Sequence, residues 1–199
     1  MTFKILCTGN PERMTIAKAI KETFPDAEFI HMSVGYDFTT SEGLEKFRQH
    51  IRNYNVFVNA SRIDHDVQIN LLKITREEWS EGHVFNIGSV LEYDFFKWIN
   101  PETHVAKNKL RQLSLDLSSE KFKTTHVIVG GFKDGSEQSE SKMDPKHIAK
   151  MIEMILSIND FHIPIIGIEN DYWLRSPTYG KQDEWADLKL KGLNLEGRI

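Results

Sequence analysis

The residues best placed to do chemistry come early, at residues 8–20 (TGNPERMTIAKAI). A glycine directly after an apolar, strand-like run lets the backbone approach a ligand closely, because it carries no Cβ. A helix that follows offers unpaired N–H groups and the positive end of its dipole, and the two together bind a phosphate. Gly9 would be that glycine, and the Thr15 hydroxyl would add a donor. The same residues also make a plain strand-to-helix turn, and both readings stay open. Arg13 either pairs with the phosphates or is solvated at the helix start. Metal chemistry is not indicated. The 8 histidines do not take ligand spacing with each other or with Cys7, so no metal is expected. Cys7 lies within the apolar run and reads as a core residue rather than a reactive thiol; as the single cysteine it can form no internal disulfide.

These residues must be held by elements, and the pattern alternates apolar runs with amphipathic stretches. Strands are expected at residues 3–8, 27–34, 55–59, 83–87, 125–129 and 163–168. Helices are expected at residues 14–24, 42–52, 67–79, 103–117 and 144–156. Thr40 or Ser41 would cap the second helix, and Asp144-Pro145 would open the last one as N-cap and N1. Alternation of this kind predicts an α/β fold: a three-layer, doubly wound, Rossmann-like parallel sheet of about six to seven strands with right-handed crossovers. In such a sheet ligands sit beyond the C-terminal strand ends.

At 199 residues, 40% hydrophobic and 27% charged, the chain suits one domain with a single core. A net charge of -4 argues against a nucleic-acid partner. No apolar stretch is long enough to span a bilayer, so no membrane partner is expected. The start of the chain runs into a strand without a signal-peptide pattern, and a cytoplasmic setting is the default expectation.

Further short motifs follow in order. They are Gly9, then five residues, then Thr15-Ile16-Ala17; Asp37-Phe38-Thr39; Val58-Asn59-Ala60-Ser61; Asn86-Ile87-Gly88-Ser89; Val105-Ala106-Lys107-Asn108; Gly130-Gly131; and Ile168-Glu169-Asn170-Asp171. This ordered set resembles the short-chain dehydrogenase/reductase family. The first turn is similar to the variant found in enoyl-acyl-carrier-protein reductases, with Arg13 and Thr15 where the common fingerprint has glycines. The resemblance implies a single NAD(P)-binding domain over residues 1–171, with residues 172–199 an extension packed on the body or on a neighbouring subunit. By position it assigns NAD or NADP binding to Gly9, Asn10, Arg13, Met14, Thr15, Asp37, Asn59, Ala60, Ser61, Lys107, Gly130 and Gly131. With no clear acid at the end of the second strand, the choice between the two cofactors stays open. The segment 33–37 is short for the family's next helix and strand, so a trimmed sheet is expected.

The family transfers a nicotinamide hydride to or from a small carbonyl or enoyl substrate. A serine orients the substrate oxygen, a tyrosine handles the proton and a lysine binds the ribose. Ser89 and Lys107 match by position. The tyrosine does not: Thr103 stands four residues before Lys107 and Asn100 seven before it. Neither an aliphatic hydroxyl nor an amide is an effective general acid near neutral pH. Tyr93 is a candidate substitute donor. His104 is adjacent to the tyrosine's place but points elsewhere on the helix. Asn70 could be the family's proton-relay asparagine. Two readings follow: a reductase with weak, altered or lost activity, or a pseudoenzyme kept as a nucleotide- or partner-binding scaffold. Family habit suggests a homodimer or homotetramer, with the helix at residues 103–117 in the interface. The polar loop at residues 133–142 leaves the substrate unspecified.

Overall fold

The structure, a computed structural model, describes residues 3–61, 66–93, 101–130, 143–158 and 162–168. Its elements run β1 (Ile5–Thr8), α1 (Thr15–Thr23), β2 (Glu28–Ile30), α2 (Ser41–Ile51), β3 (Val56–Asn59), α3 (Val67–Glu78), β4 (Gly82–Ile87), α4 (Pro101–Leu117), β5 (Phe122–Val129), α5 (Lys146–Ser157) and β6 (Ile165–Ile168). Short 3₁₀ turns at Met32–Val34 and Val90–Glu92 follow β2 and β4. All six strands pair in parallel in the order β2-β1-β3-β4-β5-β6. Helices cover both faces, as parallel sheets require. Among the described residues no helix is long and apolar enough to cross a membrane.

Two hydrophobic cores result, one on each face of the sheet. On one face α1 and α5 bury Ile16, Ile20, Ile148 and Ile152 against Cys7, Val58 and Phe85. On the other, α2, α3 and α4 bury Phe47, Leu71, Leu72 and Leu110 against Leu6, Phe57 and Phe122. Each fully buried Leu or Phe contributes roughly 1.5–3 kcal/mol, and alternate strand residues supply the two faces. Cys7 is fully buried, and burial alone raises its thiol pKa, as suits a core residue.

The sheet is trimmed where the short segment after β2 predicts it. The extended run expected at residues 27–34 stops at Ile30, turns through Met32–Val34 and ends in a left-handed Gly35 with φ 85°. This leaves β2 at an edge. Side chains rather than another strand surround it: the His50 imidazole lies 2.8 Å from Glu28, the Tyr54 hydroxyl donates to the same carboxylate, and Tyr36 packs on His50. Two elements start earlier than their sequence pattern suggests. α4 begins at Pro101, which suits a first-turn proline. β5 begins at Phe122, where Lys123 and the two threonines after it mask the strand.

Candidate functional site

The winding of the sheet reverses between β1 and β3, so the crevice of a doubly wound fold opens beyond Thr8 and Asn59. Thr8 fixes its floor. Its fully buried hydroxyl accepts the Ala60 amide at 2.8 Å and donates to the Val58 carbonyl at 3.4 Å. Gly9 follows with φ 127°, and its amide donates to Ile30 at 3.0 Å. A Cβ there would lie 2.8 Å from the Met14 sulfur and 3.4 Å from Ala17. The Met14 side chain could move aside, so it is the left-handed φ that favours glycine here, whatever binds outside. Asn10 organises the rest of the turn: its side chain accepts the Glu12 amide at 2.9 Å, and its carbonyl accepts the amides of Arg13 and Met14. At the start of α1 the N-cap is Met14, which has no acceptor side chain, and the first turn holds no acidic residue. Its leading N–H groups thus lack the usual capping partner. Thr15 and Arg13 are exposed beside them.

Across the crevice, Ala60 and Ser61 follow β3 and are buried. The Ser61 hydroxyl and the Asn59 side-chain carbonyl are buried without a hydrogen-bond partner. Such oxygens cost about 1–3 kcal/mol each if nothing meets them. They mark a place for a ligand group or a water.

Asn59 belongs to a polar row laid across the sheet. Asn59, Asn86 and His126 are register partners on β3, β4 and β5, and all three are fully buried. The Asn59 amide donates to the Asn86 side-chain oxygen at 2.9 Å, and Asn86 donates to the Ser114 hydroxyl of α4 at 3.1 Å. Gln68 closes the other end. Its side-chain amide donates to the carbonyls of Asn59 at 2.5 Å and Ile87 at 3.1 Å, and its backbone carbonyl accepts from the Asn59 side chain at 2.8 Å. Lys107 reaches into this row from α4, donating to the Gln68 side-chain oxygen and, at 3.0 Å, to the Ile87 carbonyl. The amine therefore sits at the C-terminal ends of β3 and β4, on the crevice side of the sheet.

Ser89 stands one turn away, capping the short 3₁₀ turn after β4. Its hydroxyl accepts the Leu91 amide at 3.2 Å, while its own amide donates to Glu92 at 3.0 Å. A hydroxyl has two lone pairs and one proton, so the O–H stays a donor. Glu92 is fully buried and meets the equally buried His126 Nε2 at 3.0 Å through both carboxyl oxygens. Arg111 lies 3.6 Å away. Gly88 has to be a glycine here, since a Cβ would fall 2.4 Å from Glu92 and 2.5 Å from His126.

The structure also places other sequence-assigned residues. The Tyr93 side chain points to the sheet edge, where its hydroxyl is 3.6 Å from the position of a Cβ on Gly167 of β6. That is two strand spacings from β4, roughly 10 Å. Tyr36 and Tyr54 are occupied at the β2 edge. Tyr93 thus reaches towards β6, whereas the Lys107 amine lies at the ends of β3 and β4. His104 turns towards the Leu91 carbonyl at 3.3 Å. Thr103 is half-buried in the first turn of α4. Asp37 binds its own neighbour, accepting from the Thr39 amide at 3.0 Å and hydroxyl at 2.6 Å, and these bonds hold its carboxyl below the usual range. The Gly130 amide donates to Ile168 between β5 and β6. Asn100, Gly131, the loop at residues 133–142 and the extension at 172–199 lie outside the described residues.

Gln68 touches Lys107 from α3; Asn70 is half-buried two positions on. The signal for Gln68 was its place on a buried stripe with Leu71, Leu72 and Thr75. Glu92 had a signal too: Ser89 and Glu92 have capping-box spacing.

No family model and no curated relative matches the sequence. Solved structures do. The chain is similar to an acetoin dehydrogenase from Salmonella typhimurium at 17% identity and TM-score 0.67, covering 89% of this chain and 100% of that one. It is similar to a short chain dehydrogenase from Burkholderia cenocepacia in complex with NADP at 9% identity and TM-score 0.63, covering 92% and 97%. A third match is the 3-alpha-hydroxysteroid dehydrogenase from Pseudomonas sp. B-0831 complexed with NADH, at 14% identity and TM-score 0.59, covering 87% and 98%. The chain has the fold of the short-chain dehydrogenases.

Proposed function

We propose that this protein binds a nicotinamide dinucleotide, NAD or NADP, in the crevice between β1 and β3. The observation that carries the proposal is the pairing of two unmet demands across that crevice. On one side are the uncapped amides at the start of α1. On the other are the unpartnered oxygens of Asn59 and Ser61. Phosphates satisfy the first, with Arg13 and Thr15 at hand, and donor hydroxyls or amides satisfy the second. Lys107 lies at the same end of the sheet and would hold the ribose next to the nicotinamide. The same residues are the ones that the resemblance to the dehydrogenase family assigns, and two structures of this fold are recorded with NADH and NADP.

When bound, the nicotinamide supplies or accepts a hydride. The chain's part in such a reaction is to orient a substrate oxygen through the Ser89 O–H and to hold the ribose through Lys107. The proton is the weak point. Thr103 offers an aliphatic hydroxyl, whose alkoxide is far too basic to form near neutral pH. The chain is therefore a nucleotide-binding protein of dehydrogenase descent whose reductase activity is low or absent, and a scaffold role fits the described tyrosines' positions equally well.

Titration with NADH, NADPH and ADP, followed by nucleotide fluorescence and melting temperature, tests this. Binding at 100 times Kd would stabilise the fold by about 2.7 kcal/mol. No shift with any of the three at millimolar concentration would end the nucleotide reading. Thr103→Tyr then separates the two roles: reductase activity gained on a carbonyl or enoyl panel means that only the phenol was missing, whereas binding without turnover favours the scaffold.

A further inference from the structure

We propose that Gln68 is a positioning residue: it fixes the Lys107 amine at the C-terminal end of β4, and so sets the affinity for the nicotinamide half of the dinucleotide but not for the adenosine half. The inference rests on the nucleotide reading above. Lys107 comes from α4 on a long flexible stem, and an unanchored ammonium of this kind loses considerable rotamer freedom when a ligand recruits it. Here that ordering is already done. One N–H points to the Gln68 side-chain oxygen and another to the Ile87 carbonyl at 3.0 Å. Gln68 has little freedom of its own. It is 4% exposed, and its amide is held by the Asn59 and Ile87 carbonyls, the last residues of two central strands. The chain of restraint runs from the sheet through Gln68 to the amine. Gln68 needs no contact with the ligand, and its effect should be confined to the part of the ligand that Lys107 meets. The phosphates bound at Gly9 and α1 lie on a separate element and should not sense it.

The ratio of two affinities reads this out. ADP probes the crevice without the nicotinamide ribose, and NADH probes both halves. In Gln68→Met, which keeps length and burial but removes the acceptor for the ammonium, NADH affinity should fall about tenfold or more while ADP affinity stays within about twofold. Gln68→Glu keeps an acceptor for Lys107 and should restore the wild-type ratio, even though it loses the two donations to strand carbonyls and melts lower. Ser114→Ala, at the far end of the same row, should melt lower with an unchanged ratio. If Gln68→Met does not fold, Gln68→Asn, which withdraws the same amide by one methylene, is measured against Gln68→Glu in its place. Wild-type protein that binds neither ADP nor NADH would remove the nucleotide reading and this inference with it. Wild-type protein that binds both, with Gln68→Met or Gln68→Asn weakening both equally or neither, would overturn the role of Gln68 alone.

Discussion

Glu92 shows how much of this site is decided by single buried groups. Its carboxyl is fully enclosed, yet it serves three partners: the Ser89 amide at 3.0 Å, His126 Nε2 at 3.0 Å and Arg111 at 3.6 Å. Removing one member of such a cluster strands the others without water. Glu92→Ala should therefore cost about 3 kcal/mol or more, whereas Glu92→Gln, which still accepts from Ser89, should cost less. Urea denaturation of the two variants checks the order; equal and small losses would mean that the cluster is not holding the turn. Such roles were only partly legible in the residues. Ser89 and Lys107 stand out by position, and the structure puts both at the end of β4. Glu92 and His126 do not stand out, because residue type says nothing about which polar groups a fold will enclose. Tyr93, attractive as a nearby phenol, has its hydroxyl 3.6 Å from the position of a Cβ on Gly167 of β6.

Elements were easier to read than residues, since periodicity and caps are local. The cap of α2 is a case in point. Thr40 takes the Gly43 amide at 3.1 Å and donates to the Asp37 carbonyl at 2.9 Å, tying the helix to the turn that replaces an outer strand. Thr40→Ala should cost about 1 kcal/mol, up to roughly 2 with both bonds gone, seen as a lower melting temperature, while Thr40→Ser should cost little. An unchanged Thr40→Ala protein would mean that the aromatic contacts of Phe38 and Phe47 fix α2 by themselves. Boundaries were less legible where tertiary pairing overrides local pattern. β2 ends at Ile30 because β1 offers it partners only from Leu6 to Thr8. α5 starts at Lys146 with Pro145, not Asp144, at its N-cap, although the Asp144 side chain still accepts the Lys146 amide at 2.9 Å.

At the scale of the whole molecule, folding stability must depend on pH through His83. Its ring stacks on Phe85 with centroids 4.2 Å apart and hydrogen-bonds the Thr125 hydroxyl at 2.9 Å, near the N-terminal strand ends and away from the crevice. Burial, with the nearby His162 and Lys123 adding to it, lowers its pKa from 6.5 to about 3. The unfolded chain then binds a proton below pH 6.5 that the folded chain refuses until about pH 3. Stability from this group is whole above pH 6.5 and falls with acidification by up to ~1.4 kcal/mol per pH unit. His83→Gln keeps a partner for Thr125 and should flatten the slope of stability between pH 6.5 and 4.5; an unchanged slope would assign it to other groups.

The row formed by Asn59, Asn86 and His126 faces α3 and α4, while Cys7, Val58 and Phe85 on the opposite face pack with the aliphatic side chains of α1 and α5, Phe85 also stacking on His83. One side of the same sheet can exchange Ile, Val and Leu almost freely, as cores of this kind do. The other side has its own apolar core under α2, α3 and α4, but the polar row beside it is a wired circuit in which each change opens a contact elsewhere. Under random mutagenesis the survivors should avoid that row, so that the molecule evolves with one strip of its sheet frozen and the apolar packing around it fluid.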